Sequence, residues 1–177
     1  METQLIASKI REVKDFPKEG ISFKDITPIL LDPETSSIVL NTFIERLEGK
    51  NIDAIIGVES RGFLFGMMIA NALNIPFVPV RKAGKLPSTT ISEEYNLEYG
   101  SAKLEIHTDS ISKGWNVVIH DDLLATGGTA KATSKLVKRL GGNITSFLFL
   151  VELDNLHGRV SLEKYSKDII SLLNYQT

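Results

Sequence analysis

A chain of 177 residues, 42% of them hydrophobic, has enough length to bury roughly 70% of the surface it exposes when unfolded, and it reads as one soluble domain over residues 1–177. It holds no cysteine, which excludes disulfides, a thiol nucleophile and cysteine-ligated metals, and His107, His120 and His157 are too scattered for a zinc cluster. With 20 basic and 22 acidic side chains the formal net charge is −2, which argues against nucleic acid as the main partner.

Ile6, Ile10 and Val13 fall at helical spacing and predict a first helix that stops before the turn residues Phe16, Pro17 and Gly20. Asp32, Pro33 and Glu34 read as an N-cap, a first-turn proline and a first-turn acid. Leu40, Phe43, Ile44 and Leu47 then form the apolar stripe of a second helix, closed by Gly49. Asp53 to Val58 is a β-rich run. Phe63 to Leu73, apolar all round, predicts a helix buried inside the domain. That stretch is about half the ~20 residues a membrane span needs, and the first ten residues lack the basic and apolar regions of a secretory signal, so the cytoplasm is the expected compartment. Ile75 to Val80 is a short strand made irregular by Pro76 and Pro79. The polar stretch 82–100, with Gly84, Pro87 and Ser88, fits neither period and predicts a mobile lid excursion. Asn116 to His120 is a third strand. A helix marked by Thr133, Leu136, Val137 and Leu140 follows, then strands at Ile144 to Val151 and Ile169 to Leu172.

Strands alternating with helices predict an α/β fold, a parallel sheet flanked by helices, with its strand-to-helix loops on one ligand-binding edge. The most specific segment lies there: Asp121-Asp122-Leu123-Leu124-Ala125-Thr126-Gly127-Gly128-Thr129. A helix N-terminus behind glycines, with the hydroxyls of Thr126 and Thr129, suits a phosphate monoester. Ionised Asp121 and Asp122 only accept hydrogen bonds, so they repel phosphate but suit a vicinal diol beside it. Either pair alone reads as an ordinary turn; the combined order does not. No Walker-type or dinucleotide glycine pattern is present, and a serine-hydrolase elbow at Ser60 fails because Val58 stands where glycine is needed. Arg61, on the loop after the Asp53 to Val58 strand, can bind a diphosphate in a fork geometry; otherwise it pairs with Glu59 on the surface. Arg81, Lys82 and Lys85 bring three further cations to the same edge, where a solvated basic turn is the plain alternative.

The Asp121 to Thr129 run after an apolar strand resembles the phosphoribosyl pyrophosphate signature of the type I phosphoribosyltransferases. Asp15 to Pro28, Glu59 to Phe63, Arg81 to Pro87 and Tyr95 to Gly100 are similar, in the same order, to the adenine phosphoribosyltransferases. The resemblance implies transfer of a phosphoribosyl group to adenine, giving AMP and pyrophosphate in purine salvage. It also implies a small N-terminal hood over residues 1–32 that binds the base. Asp121 and Asp122 would hold the ribose hydroxyls, and Ala125, Thr126, Gly127, Gly128 and Thr129 the 5-phosphate. Glu59, Ser60, Arg61, Arg81, Lys82, Lys85 and Tyr99 would surround the pyrophosphate, with Arg61 and Glu98 catalytic and Glu98 approaching the purine imidazole edge. Phe23 would pack on the adenine face while backbone groups around Ser22 and Lys24 read its edges. The same resemblance implies magnesium carried by substrate oxygens, a homodimer, and a non-proline cis peptide between Glu59 and Ser60. No protein residue is expected as a firm metal ligand, and no membrane or nucleic acid as partner. The alternatives are a transferase for xanthine or another purine, and a regulator that senses phosphoribosyl pyrophosphate. His120 and Lys24 depart from the family pattern; strand alternation points His120 away from Asp121, as a packed residue.

Overall fold

Asp32 sets the start of the longest helix. The computed structural model, which describes residues 2–96 and 101–176, has Asp32 in an extended conformation accepting from the Thr35 N–H at 3.4 Å, with Pro33 in the first turn. The elements are α1 (Glu2–Lys9), β1 (Arg11–Lys14), β2 (Ser22–Asp25), α2 (Thr27–Leu30), α3 (Pro33–Leu47), β3 (Ala54–Val58), α4 (Gly62–Ala72) and β4 (Phe77–Lys82). They continue with β5 (Thr90–Asn96), β6 (Ser101–His107), β7 (Asn116–Leu124), α5 (Gly128–Arg139), β8 (Asn143–Leu153), α6 (Gly158–Leu162) and β9 (Ile169–Tyr175).

Seven strands form one sheet in the order β5-β6-β4-β3-β7-β8-β9. From β4 to β9 the pairings are parallel, while β6 pairs antiparallel with both β4 and β5. The crossover through α4 runs from β3 outward to β4, and the crossover through α5 runs from β7 outward the other way to β8. Two right-handed crossovers that depart in opposite directions lie on opposite faces of the sheet. The core accordingly divides in two. On one face α3 and α4 bury Val39, Phe43, Leu47, Phe65 and Ile69 against Ile55, Val118 and Leu148. On the other, α5 buries Leu136 and Val137 against Ile56, Ile119, Phe147 and Phe149. Each large side chain removed wholly from water in these layers contributes about 1.5–3 kcal/mol.

Several local expectations change. The helical spacing of Ile6, Ile10 and Val13 breaks after Lys9, because residues 11–14 pair with β2 in an antiparallel hairpin with Val13 opposite Phe23. Its turn is set by Asp15 and Gly20, both at positive φ, with the Gly20 N–H donating to Asp15 Oδ1 at 2.8 Å; the Phe16–Pro17 bond within it is cis. The stripe of α3 centres on Val39, Phe43 and Leu47, leaving Leu40 and Ile44 half-buried at its margin. Helix α4 is not buried all round: Leu64, Met67 and Met68 are 40%, 52% and 37% exposed. Pro79 does not disturb β4. It pairs in register with Gly57, and β6 joins the other edge of β4 only at Arg81 and Lys82, so no ladder donor is missing at the proline. The 82–100 stretch is not wholly irregular, since 90–96 is strand β5, paired with a strand at Ser101–His107 that its mixed polar pattern conceals. Among the described residues no helix is long and apolar enough to cross a membrane.

His120 is fully buried on the α3/α4 face, packed edge-on against Phe43 at 5.3 Å between ring centroids, with Nδ1 bonded to the Leu148 carbonyl at 2.9 Å. Its Nε2 has no hydrogen-bond partner among the described residues. Burial pulls the imidazole pKa down to about 4, despite the Leu148 carbonyl, which raises it. A histidine that stays neutral when folded lends its full stability above the unfolded value near 6.5 and loses it as the pH falls toward the folded value. Between pH 7 and pH 4 the wild-type chain is therefore expected to lose about 3 kcal/mol more unfolding free energy than His120→Leu, as read by urea denaturation at the two pH values. Parallel losses in the two proteins would contradict this origin of the acid sensitivity.

Candidate active site

Strands β3 and β7 are hydrogen-bonded neighbours at the point where the chain departs in both directions, and the loops at their C-terminal ends open onto one cavity of about 470 Å³. Its walls are Glu59, Ser60 and Arg61 after β3, Asp121 to Leu124 at the end of β7, and Ala125 to Ala130 leading into α5. Lys82, Tyr95 and Leu104 complete it from the antiparallel side. The Glu59–Ser60 peptide bond is cis, as the resemblance implied.

The glycine turn belongs to the start of α5. Gly127 takes a left-handed conformation, φ 79°, that a residue with a side chain adopts only with strain. Helix α5 has no side-chain cap, and its first backbone bond is Lys131 N–H to the Gly127 carbonyl at 2.9 Å. The N–H groups of the first turn therefore have no acceptor within the helix and lie at the cavity wall, together with the positive end of the helix dipole.

The two acids sit inside β7 rather than after it. Asp122 is 5% exposed and meets Arg61 Nε at 2.6 Å. Asp121 is half-buried, and its Oδ1 accepts the Asp122 backbone N–H at 2.9 Å. Loss of hydration raises the Asp121 carboxyl well above the usual carboxylate range, and the neighbouring Asp122 charge adds to this. Burial also raises Asp122, against the opposing pull of Arg61. Such carboxyls readily accept hydroxyl donors, which restore part of the solvation they lack. The two loops come this close because residue 62 is glycine: a Cβ there would lie 2.7 Å from the His120 carbonyl and 3.1 Å from Asp121 Oδ1.

Glu59 organises the basic arm. It accepts two bonds from Arg81, at 3.1 and 3.2 Å, and one from the Lys82 N–H at 2.9 Å. Burial raises the Glu59 pKa, but Arg81 and Lys82 outweigh it and hold the group below the usual range. Arg81 also donates to the Lys85 carbonyl at 2.9 Å, fixing the turn. Lys82 reaches the cavity wall; Arg81 and Lys85 stand behind it.

In the N-terminal hairpin, alternation separates the residues of β2. The Arg61 guanidinium lies over the Phe23 ring, 5.1 Å from its centroid, and Phe16 packs edge-on against the same ring at 5.2 Å. Ser22 and Lys24 turn the other way: Lys24 Nζ lies 3.2 Å from Ser22 Oγ, 3.4 Å from Glu12 and 4.8 Å from the Tyr175 ring centroid. Their side chains therefore face away from Arg61. Glu98, Tyr99 and Gly100 lie outside the described residues. Sequence reasoning passed over Tyr95 and Leu104, which line the cavity from strands whose polar patterns hid them; the alternation of Leu104 and Ile106 is the signal that could have exposed β6.

Residues 30–176 match the phosphoribosyl transferase domain family. The adenine phosphoribosyltransferase of Methanococcus vannielii is 54% identical over 96% of this chain and 97% of its own. A crystal structure of the enzyme of that name from Thermoanaerobacter pseudethanolicus superposes with a TM-score of 0.94 at 52% identity, covering 98% of this chain and 99% of that one. The Saccharomyces cerevisiae adenine phosphoribosyltransferase, solved with an imino-altritol bisphosphate and adenine, gives 0.93 at 42% identity over 97% and 98%. A parallel sheet whose central loops join a glycine turn to paired carboxylates, in a chain this similar to these proteins from end to end, belongs to the adenine phosphoribosyltransferase family.

Proposed function

We propose that the chain transfers the phosphoribosyl group of 5-phosphoribosyl 1-pyrophosphate to N9 of adenine, the reaction of its family, and that the cavity between β3 and β7 is where it does so. The observation that carries this assignment is the meeting, in one cavity, of an uncapped helix N-terminus with two adjacent carboxylates. The first is a donor array for a phosphate and the second an acceptor pair for hydroxyls, so a sugar phosphate satisfies both at once.

In this reading the 5-phosphate sits at Ala125 to Thr129, which line the cavity and would offer it backbone N–H groups and the Thr126 and Thr129 hydroxyls. Asp121 and Asp122 take the ribose hydroxyls, whose donation favours the ionised carboxylates. The bond between C1 of the ribose and the diphosphate oxygen breaks with its electron pair leaving on pyrophosphate. The N9 lone pair forms the new bond, and the N9 proton passes to the Glu98 carboxylate. Because the sugar passes through a cationic state, these side chains act mainly by positioning and by stabilising charge. Arg61, now on Asp122, and Lys82 are the cations at the leaving-group end, while Glu59 holds Arg81 and the 81–85 turn in place behind them. Phe23 offers its face to the base, and the β2 backbone around Ser22 and Lys24 is free of their side chains on that side. The 82–100 stretch would close over the reacting sugar and keep out water.

Magnesium would enter with the substrate, coordinated chiefly by substrate oxygens and water, with Asp121 and Asp122 as the carboxylates able to hold its waters; among the described residues no three His, Cys, Asp or Glu side chains group as a metal site. When bound it supplies neutralisation of the diphosphate charge. A second copy of the chain is the proposed cover for Leu64, Met67 and Met68 on α4, an apolar strip of the kind that marks contact surfaces.

With magnesium, phosphoribosyl pyrophosphate and a panel of purines, pyrophosphate release is expected with adenine in preference to hypoxanthine, guanine or xanthine. Asp121→Asn/Asp122→Asn should lower kcat/KM by at least about 10²-fold with an unchanged circular dichroism spectrum; an active double variant would remove the ribose assignment. Glu98→Ala is expected to lower kcat by about 10² to 10⁴ with a much smaller change in KM, and a near-normal kcat would exclude a proton-handling role. Light scattering should report twice the chain mass for the wild type and a shift toward the single mass for Met67→Glu; equal masses would place the interface elsewhere.

A further inference from the structure

The glycine turn is held from below by a second backbone. A Cβ on Gly127 would lie 2.3 Å from Ser161 Oγ and 2.7 Å from the Gly158 carbonyl oxygen. In return, a Cβ on Gly158 would lie 2.2 Å from the Ala125 carbonyl oxygen, 2.9 Å from Leu124 Cδ1 and 3.0 Å from the Gly127 nitrogen. No side chain fits between them, so the start of α6 and the turn before α5 touch backbone to backbone. Ser161 Oγ, which donates to the Gly158 carbonyl within α6 at 2.7 Å, also lies 3.5 Å from the Thr126 carbonyl of the turn.

Helix α6 has only five residues, too short to hold its position by its own backbone bonds, so it needs an anchor. Arg159 supplies one. Its Nε donates to Glu152 Oε1 at 3.1 Å, a second guanidinium nitrogen donates to Oε2, and a third reaches the Ile169 carbonyl at 2.7 Å. Glu152, on β8, is 4% exposed and also accepts from Ser171 Oγ of β9 at 2.5 Å. Two donors to one buried carboxylate in a fork leave little rotational freedom, and the third bond ties the same guanidinium to the next strand. Buried Leu162 completes the seat.

We propose that α6, locked to β8 and β9 by Arg159 and Glu152, is the positioning brace of the Ala125 to Thr129 turn. It fixes the turn at the height where the first-turn N–H groups of α5 meet a phosphate. The inference rests on the reading of that turn as the 5-phosphate seat. Its physical basis is pre-organisation: donors on a glycine turn hold an anion well only if the turn is immobilised before the anion arrives, and nothing in the turn's own side chains does this. Gly158 and Arg159 touch no substrate in this account; they act through the turn.

The test uses the full-length chain and two separate probes, ribose 5-phosphate for the turn and pyrophosphate for the Arg61 and Lys82 end, each titrated by calorimetry. Gly158→Ala and Arg159→Met are expected to weaken ribose 5-phosphate roughly tenfold or more while pyrophosphate affinity changes by less than about twofold. Arg159→Lys, which keeps the charge but not the fork, should fall between wild type and Arg159→Met, and its retained fold is read by thermal melting. In steady state the variants should raise KM for phosphoribosyl pyrophosphate more than they lower kcat. Unchanged ribose 5-phosphate affinity, or equal weakening of both probes, overturns the brace. Thr126→Val separates the two layers of the argument. If it weakens ribose 5-phosphate and Gly158→Ala does not, only the brace fails; if neither does, the seat is misassigned and the brace falls with it.

Discussion

The cavity exists because β3 and β7 pair side by side and the helices that follow them leave on opposite faces of the sheet. A strand order that separated β3 from β7 would place the loop carrying Arg61 and the end of β7 carrying Asp122 on different parts of the edge. Adjacent pairing alone does not bring them into contact, since α4 has to begin almost on top of β7. Gly62 permits this, at a distance from the His120 carbonyl where no Cβ can stand. One missing side chain thus lets Arg61 reach Asp122 at 2.6 Å, and that ion pair links the two loops electrostatically.

Two carboxylates of the cavity are held by cations before any ligand arrives, Asp122 by Arg61 and Glu59 by Arg81. Glu59 is saturated by Arg81 and Lys82, and stays ionised as the fixed centre of the basic arm. The carboxyls of Asp121 and Asp122 are under-solvated, which makes them receptive to hydroxyl donors and costly to leave bare. Arg61 lies between these regimes. Its guanidinium shares Asp122 and the Phe23 ring, so the same cation spans the proposed sugar and base subsites. A ligand that enters must replace these contacts in kind, and a phosphoribosyl group with an adjoining base has the matching chemistry at every one of them.

What the chain declares in its residues and what it withholds divide along physical lines. The Asp121 to Thr129 run was legible because strand, paired acids, glycine turn and helix each leave a local mark, and because Asp32 and Pro33 cap α3 through contacts with near neighbours. The assignment of His120 to the core followed from alternation alone, and its contact with Phe43 agrees. The β1 strand was not legible, because Val13 continues the period of Ile6 and Ile10 while its pairing with Phe23 is a contact ten residues away. Strands β5 and β6 are half-exposed at the sheet edge and carry Ser, Glu and Lys on their open face, so no apolar run announces them. The role of Gly158 was beyond reach for a different reason, since a glycine whose partner is the backbone of Ala125 leaves no trace in hydrophobic pattern or charge.

The hairpin that adjoins the cavity combines a fixed part with the proposed lid. Lys135 of α5 meets Glu93 at 2.5 Å, Arg139 of the same helix lies 3.6 Å from Glu93 and donates to the Ser92 carbonyl at 2.6 Å, and Ile91 and Tyr95 pack against the core below. This arm is therefore fastened to the helix whose first turn faces the proposed phosphate. The proposed closure of the 82–100 stretch would have to pivot about that attachment, because detaching β5 would break two ion pairs and seven residue pairings with β6 together. The fastening would keep Tyr95 at the cavity wall during that proposed closure, with α5 as its fixed point. Helix α5 in turn begins at the turn that packs on α6, so the proposed sugar site and its proposed cover would share one reference in the fold.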